Sequence, residues 1–242
     1  MADFEPRTTT TGFGSVPRAG GAVVFDAGLR KHMLSIYNYM TSGVLLTGVV
    51  SLLTFNSGLA VNFASGPLMW LVALSPLAVV LAMSFGANRF SKTTLQGMFW
   101  AFAVLMGLSL STIFLRFTGG SIAVTFFATA AAFAGLSLYG YTTQKNLSGW
   151  GSFLIMGVVG LIVAMVANMF FQSPALMYAI SFIGVLIFAG LTAYDTQRLK
   201  NEYAVLRGTE FAGKAIILGA LTLYLDFINM FQFLLSFMGS RE

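Results

Sequence analysis

The sequence predicts an all-α, polytopic membrane protein with seven transmembrane helices. Three observations carry this expectation. The 242 residues are 57% hydrophobic and only 9% charged, whereas soluble domains carry about 25% charged residues. Seven apolar runs of spanning length recur along the chain. The basic residues fall between those runs, almost all on alternate sides.

Residues 1–27 hold Gly, Thr and Arg with little apolar periodicity, in TTTTGFGS and AGGA, and read as a flexible cytoplasmic tail. Residues 28–242 form one seven-helix domain. An amphipathic approach with Arg30, Lys31 and His32 leads into the first span, residues 33–55. NSGLAVNFASGP is an outer loop. The second span, residues 68–87, contains Pro76, which predicts a kink. NRFSKTT is an inner loop before the third span, residues 95–114, and Arg116 with FTGGS closes that span.

The fourth span, residues 122–141, contains ATAAAFAG, whose small residues permit close helix contact. TTQKNLSG turns the chain into the fifth span, residues 150–171, with Gly157 and Gly160 as expected contact points. QSPA is a tight outer turn. The sixth span, residues 176–194, ends in LTAYDTQRLK and is followed by the longest inner connection, up to Lys214. The seventh, residues 215–238, is long enough at about 1.5 Å per residue to cross a hydrocarbon core of about 30 Å.

With the N-terminus in the cytoplasm, eleven Lys and Arg residues lie inside and only Arg116 and Arg241 lie outside. Reversing the topology inverts that bias. A re-entrant seventh segment would instead leave the C-terminus inside. The basic pI of about 9.6 is thus explained by topology, not by a nucleic-acid patch. The chain has no cysteine, which excludes disulfides, thiolate metal sites and Cys nucleophiles. The expected absence of a cleaved signal peptide follows from the lack of a charged n-region before an apolar core.

Of eight acidic residues, only Asp195 and Asp226 lie in or beside a span. An ionised Asp at bilayer centre costs about 2.5–3.5 kcal/mol on insertion scales. Asp226 stands near the middle of the seventh span, and Thr222 and Asn229 share its helix face. Such a polar stripe reads as a lining for a partner or for water. Asp195 closes the sixth span beside Arg198 and Lys200, where a solvated helix end would explain it equally well. The two acids are 31 residues apart across one inner loop, so their helices are antiparallel. Their depths match only if the sixth helix continues beyond Thr196 and the seventh starts below the membrane surface. If they meet, two like charges in a low-dielectric site would share a proton, which is the arrangement of a pH sensor. A nearby Arg could hold such a pair closed, and a deprotonated pair could bind a divalent cation such as calcium.

The segments GLTAYDTQRLK (Gly190–Lys200), ALTLYLDFINMFQFLL (Ala220–Leu235) and DAGLRKHMLSIYNYM (Asp26–Met40) resemble the Bax inhibitor-1, or transmembrane Bax-inhibitor-motif, family, in its bacterial members. The resemblance runs from about Asp26 to the C-terminus. It implies a seven-helix bundle with the last helix central, and a pH-sensitive calcium leak through the membrane. The family's aspartate pair maps onto Asp195 and Asp226. A basic latch at the inner end of the second helix is also implied, with Arg89 in ANRFSK the nearest candidate. Some bacterial members are linked to the membrane-bound AAA protease FtsH and to stress survival.

Two functional expectations follow. One is a proton-gated cation leak of a bacterial inner membrane, controlled by Asp195 and Asp226. The other is a non-conducting regulator that binds an FtsH-type protease, with the N-terminal tail as handle. No cofactor is expected beyond calcium as transported ion, and the chain is expected to be monomeric in the bilayer. An enzyme is not expected. The only histidine, His32, precedes the first span, which removes a Ser–His dyad from the bundle. The two aspartates lack a GxGD context, and no lysine lies within a span to bind retinal.

Overall fold

The computed structural model describes residues 27–240, and the tail before Ala27 lies outside the described residues. The helices are α1 (Ala27–Asn56), α2 (Leu59–Phe63), α3 (Gly66–Gly86), α4 (Lys92–Leu110), α5 (Gly119–Thr142), α6 (Ser148–Phe171), α7 (Pro174–Leu206) and α8 (Ala212–Met238), with a 3-10 turn, Ser111–Leu115, extending α4. No strand occurs among the described residues. Seven helices, all but α2, are long and apolar enough to cross a membrane.

The last helix is the centre of the bundle. Within its apolar stretch 61% of residues are buried, against 11–33% in the other six. It packs on α7, α1, α5 and α4. Tyr224, Ile217 and Leu223 are fully enclosed. The peripheral helices α3 and α6 keep most of their apolar surface outward, at 17% and 11% buried, as lipid-facing helices do.

The seventh segment crosses the bundle from end to end. Near its start, Lys214 Nζ donates to the carbonyl of Ala87 in the α3–α4 turn at 3.4 Å. Beyond its end, Ser240 accepts from the Thr118 amide at 3.1 Å and donates its own amide to Ser121 Oγ at 2.9 Å. Those contacts lie at opposite ends of α4 and α5, so α8 is not re-entrant.

Several helices are punctuated by residues suited to the place. Ser91, Thr118 and Ser173 stand as N-caps of α4, α5 and α7, each accepting from the amide three residues on. Pro174 follows its cap at the first helical position. Pro76 lies inside an unbroken α3. Its missing N–H would orphan the carbonyl of Val72, and the Ser75 hydroxyl donates to that carbonyl instead, at 3.1 Å.

Two expectations change here. The polar run after Asp195 is not a loop: α7 continues to Leu206, and the connection to α8 shrinks to a short turn around Gly208. QRLKNEYAVL is rich in good helix formers, and Arg198 and Glu202 pair across one turn at 3.4 Å. The tightest glycine contact on α5 also lies outside ATAAAFAG. Gly135 has open space around it, and the tight approach comes five residues later, where Gly140 lies against the backbone of Ala193 on α7. On α6, Gly157 meets Ile187 while Gly160 faces open space.

A buried carboxylate pair as candidate functional site

The register of α7 against α8 is set by side chains seated on glycines. On one side of the pair, Phe233 lies on Gly184, where an added Cβ would come within 2.6 Å of the ring. On the other side, Leu199 lies over Gly219, at 2.8 Å from such a Cβ. Between these two locks the antiparallel helices bring Asp195 and Asp226 to the same level. Their carboxyl groups meet within hydrogen-bonding reach. Continuation of α7 well past Thr196 makes this possible: Asp195 is then an interior residue of a long helix, not its last turn.

Both acids are enclosed, Asp195 at 5% and Asp226 at 4% exposure. Asp226 Oδ2 has no hydrogen-bond partner among the described residues. Arg198, one turn along α7, places Nη1 at 3.0 Å from Asp195 Oδ1. The geometry is that of an ion pair, without the alignment of a hydrogen bond. Arg198 also faces Glu202 and lies over the Tyr194 ring at 5.9 Å. Arg198 thus joins the buried pair to a crevice of about 270 Å³ lined by Ser148, Tyr194, Gln197, Asn201 and Glu202.

Contacts from α5 and α6 hold this stretch of α7 in place. Gly140 admits the Ala193 backbone, and Gly151 admits the Tyr194 ring. The Ser137 and Thr196 hydroxyls are 3.1 Å apart. Gln197 donates Nε2 to the Lys145 carbonyl at 2.8 Å and accepts the Leu147 amide through Oε1 at 2.8 Å. Lys200 Nζ donates to the Tyr141 carbonyl at 2.7 Å. Residues 193–200 are therefore held by one packing or polar contact after another.

The other residues singled out in the sequence are placed as follows. Arg89 is exposed in the α3–α4 turn, where its amide bonds the Gly86 carbonyl at 2.9 Å. Thr222 and Asn229 return their side-chain donors to their own helix, at the carbonyls of Leu218 and Leu225, 3.1 and 2.8 Å away. His32 is buried against Tyr203 of α7, ring centroids 5.1 Å apart. Among the described residues no group of three or more His, Cys, Asp or Glu side chains comes together.

Sequence reasoning passed over Ser137, Gln197 and the pairing of Thr47 with Tyr224. The first two hold α7 across more than 50 residues of chain. Ser137 signalled only by polarity within an apolar run, and Gln197 was lost among the polar residues that follow Asp195. Arg198 was legible by its i, i+3 spacing from Asp195, although a solvated end was the reading given to that spacing.

The family described as inhibitor of apoptosis-promoting Bax1 matches residues 29–242. A protein of Caulobacter vibrioides is 46% identical over 94% of this chain and 96% of its own length. One of Rickettsia prowazekii is 41% identical over the full length of both. The inner membrane protein YbhL of Escherichia coli is 43% identical over 93% of this chain and 98% of its own length. With the long apolar helices and the enclosed α8 already in place, the match over nearly all of the described helices decides the matter: the chain belongs to the Bax inhibitor-1 family of membrane proteins.

Proposed function

We propose that the protein is a pH-sensitive cation leak of a bacterial inner membrane, with calcium as the transported ion and Asp195 with Asp226 as its gate. One observation carries the reading. Two carboxyl groups meet inside an otherwise apolar bundle, where packing alone would favour uncharged side chains. Two like charges so close and so dry are not both ionised cheaply, and they share a proton. Loss of that proton would separate the helices or admit a cation that screens the charge. Arg198 holds Asp195 in the closed arrangement, and Arg89 would serve as a second basic contact if the α3–α4 turn moves inward. The carboxylates bind a passing cation and keep none. The N-terminus lies in the cytoplasm, as the distribution of Lys and Arg supports. The relative YbhL bears the name of an inner membrane protein, which supports the same membrane here.

The test is calcium flux into liposomes holding the purified protein, from about pH 6 to pH 8. Wild type conducts in a pH-dependent way, and Asp195→Asn and Asp226→Asn each change the flux and flatten its pH profile. Flux indistinguishable from empty liposomes at every pH would sink the reading. It would favour the second one, a non-conducting regulator of an FtsH-type protease, which rests on the family resemblance.

A further inference from the structure

A second cavity among the described residues is lined by neither Asp195 nor Asp226. It is a cleft of about 630 Å³ between α1 and α5. Both helices pack on α8, but they make little contact with each other. Small residues explain the gap. Ala130 and Ala134 of the ATAAAFAG run face it from α5. Phe227 of α8 forms its floor. The wall on α1 runs from Arg30 to Leu45, about 22 Å along a helix. One leaflet of hydrocarbon is about 15 Å deep, half of a core of about 30 Å.

The cleft has one polar end. Arg30, in the first turn of α1, is exposed and lines its mouth together with Tyr141 from the last turn of α5. Among the described residues no carboxylate pairs with Arg30. Lys200 lies over the Tyr141 ring at 5.8 Å and brings a second cation to that end. The rest of the surface is nearly all apolar, with Ser137 among its few polar groups.

From this arrangement we infer that the cleft is a binding site for one anionic phospholipid, an acyl chain lying between α1 and α5 and the headgroup phosphate on Arg30. A guanidinium in the interface suits a phosphate through paired N–H donors. A headgroup at Arg30 sends its chain down an apolar slot that is at least a leaflet deep. A lipid seated there ends against Phe227, the residue after Asp226. The inference is independent of conduction, because it concerns occupancy alone.

The experiment uses the full chain in nanodiscs of equal phosphatidylglycerol and phosphatidylethanolamine, each doped in turn with a photoactivatable acyl-chain analogue. Labelled peptides are then mapped by mass spectrometry. Expected is labelling by the anionic analogue concentrated on α1 and α5, above that on α3 and α6. Ala134→Trp, which fills the slot, lowers it at least fivefold. Arg30→Gln brings the two lipids to equal labelling. Even labelling of every lipid-facing helix, or no effect of Ala134→Trp, overturns the site. So do cross-links between two copies of the chain through α1 and α5, which would make the cleft a protein interface. If Ala134→Trp fails to fold, Arg30→Gln decides alone: it changes an exposed side chain, and an unaltered preference for the anionic lipid in it refutes the inference.

Discussion

The hydroxyl of Tyr224 lies 2.6 Å from that of Thr47, inside the bundle between α8 and α1. Thr47 spends its single proton on the Ala103 carbonyl of α4, 2.8 Å away. Tyr224 must therefore be the donor to Thr47. The chain of bonds ties three helices together at a level where both side chains are almost wholly enclosed. The Phe99 and Phe102 rings meet Tyr224 edge-on, with centroids 6.3 and 4.9 Å away.

That order of donors predicts unequal costs. Tyr224→Phe removes one bond and leaves Thr47 still bonded to Ala103, a loss of about 0.5–1.5 kcal/mol. Thr47→Val leaves the buried Tyr224 hydroxyl without its acceptor and takes the extra donor from the Ala103 carbonyl, which keeps its bond within α4, a loss of about 1–3 kcal/mol. Unfolding in graded denaturing detergent measures both. Equal losses would contradict the assigned direction of the bond.

Arg198 is expected to restrain the carboxylate pair. Arg198→Gln removes the cation 3.0 Å from Asp195 and leaves the helix intact, so calcium flux should rise several-fold at a fixed pH. Arg89→Gln provides the comparison, because Arg89 lies in an exposed turn. A rise in the Arg89 variant alone would transfer the latch to that residue.

Much of this architecture was written in hydropathy. Each spanning helix is a run of apolar residues with basic residues gathered at one side of the bundle, and lipid-facing α3 and α6 need no other specification. The depth of Asp195 was harder to read. A polar stretch such as DTQRLKNEY suggests a loop by hydropathy, but it carries good helix propensity and an i, i+4 Arg–Glu pair. Hydropathy finds where a helix leaves lipid, not where it stops being a helix. The contact at Gly140 was invisible for another reason. Any small residue permits close approach, and only the rotation of α5 decides which of Ala130, Ala134, Gly135 and Gly140 faces a neighbour.

Gln197 offers a test of how α7 organises the turn beside it. Its amide donates to Lys145 and accepts from Leu147, so both ends of that short turn are fastened to α7. Gln197→Leu should raise amide hydrogen exchange at Leu147 by about tenfold or more, the factor that about 1.4 kcal/mol represents. Exchange in α1, which has no part in this clamp, should stay as it is. Unaltered protection at Leu147 would show that the turn holds its form without the side chain.

Close approach at Gly140 should matter more than glycine content in general. A Cβ there would collide with the Ala193 carbonyl, a backbone atom that cannot swing aside. Gly140→Ala must push α5 away from α7, two residues before Asp195, at a cost of about 1–3 kcal/mol. Gly160→Ala is the control, since nothing lies within 4 Å of its added methyl group. It should be neutral or gain up to about 1 kcal/mol from higher helix propensity. Thermal unfolding in detergent separates the two variants. The Gly140 variant should also alter calcium flux, because moving Ala193 displaces the helix that carries Asp195 against Asp226. A Gly140→Ala protein as stable as wild type, with an unchanged pH profile of flux, would mean that α7 keeps its register through α8 alone, with Gly184 and Gly219 as sufficient locks.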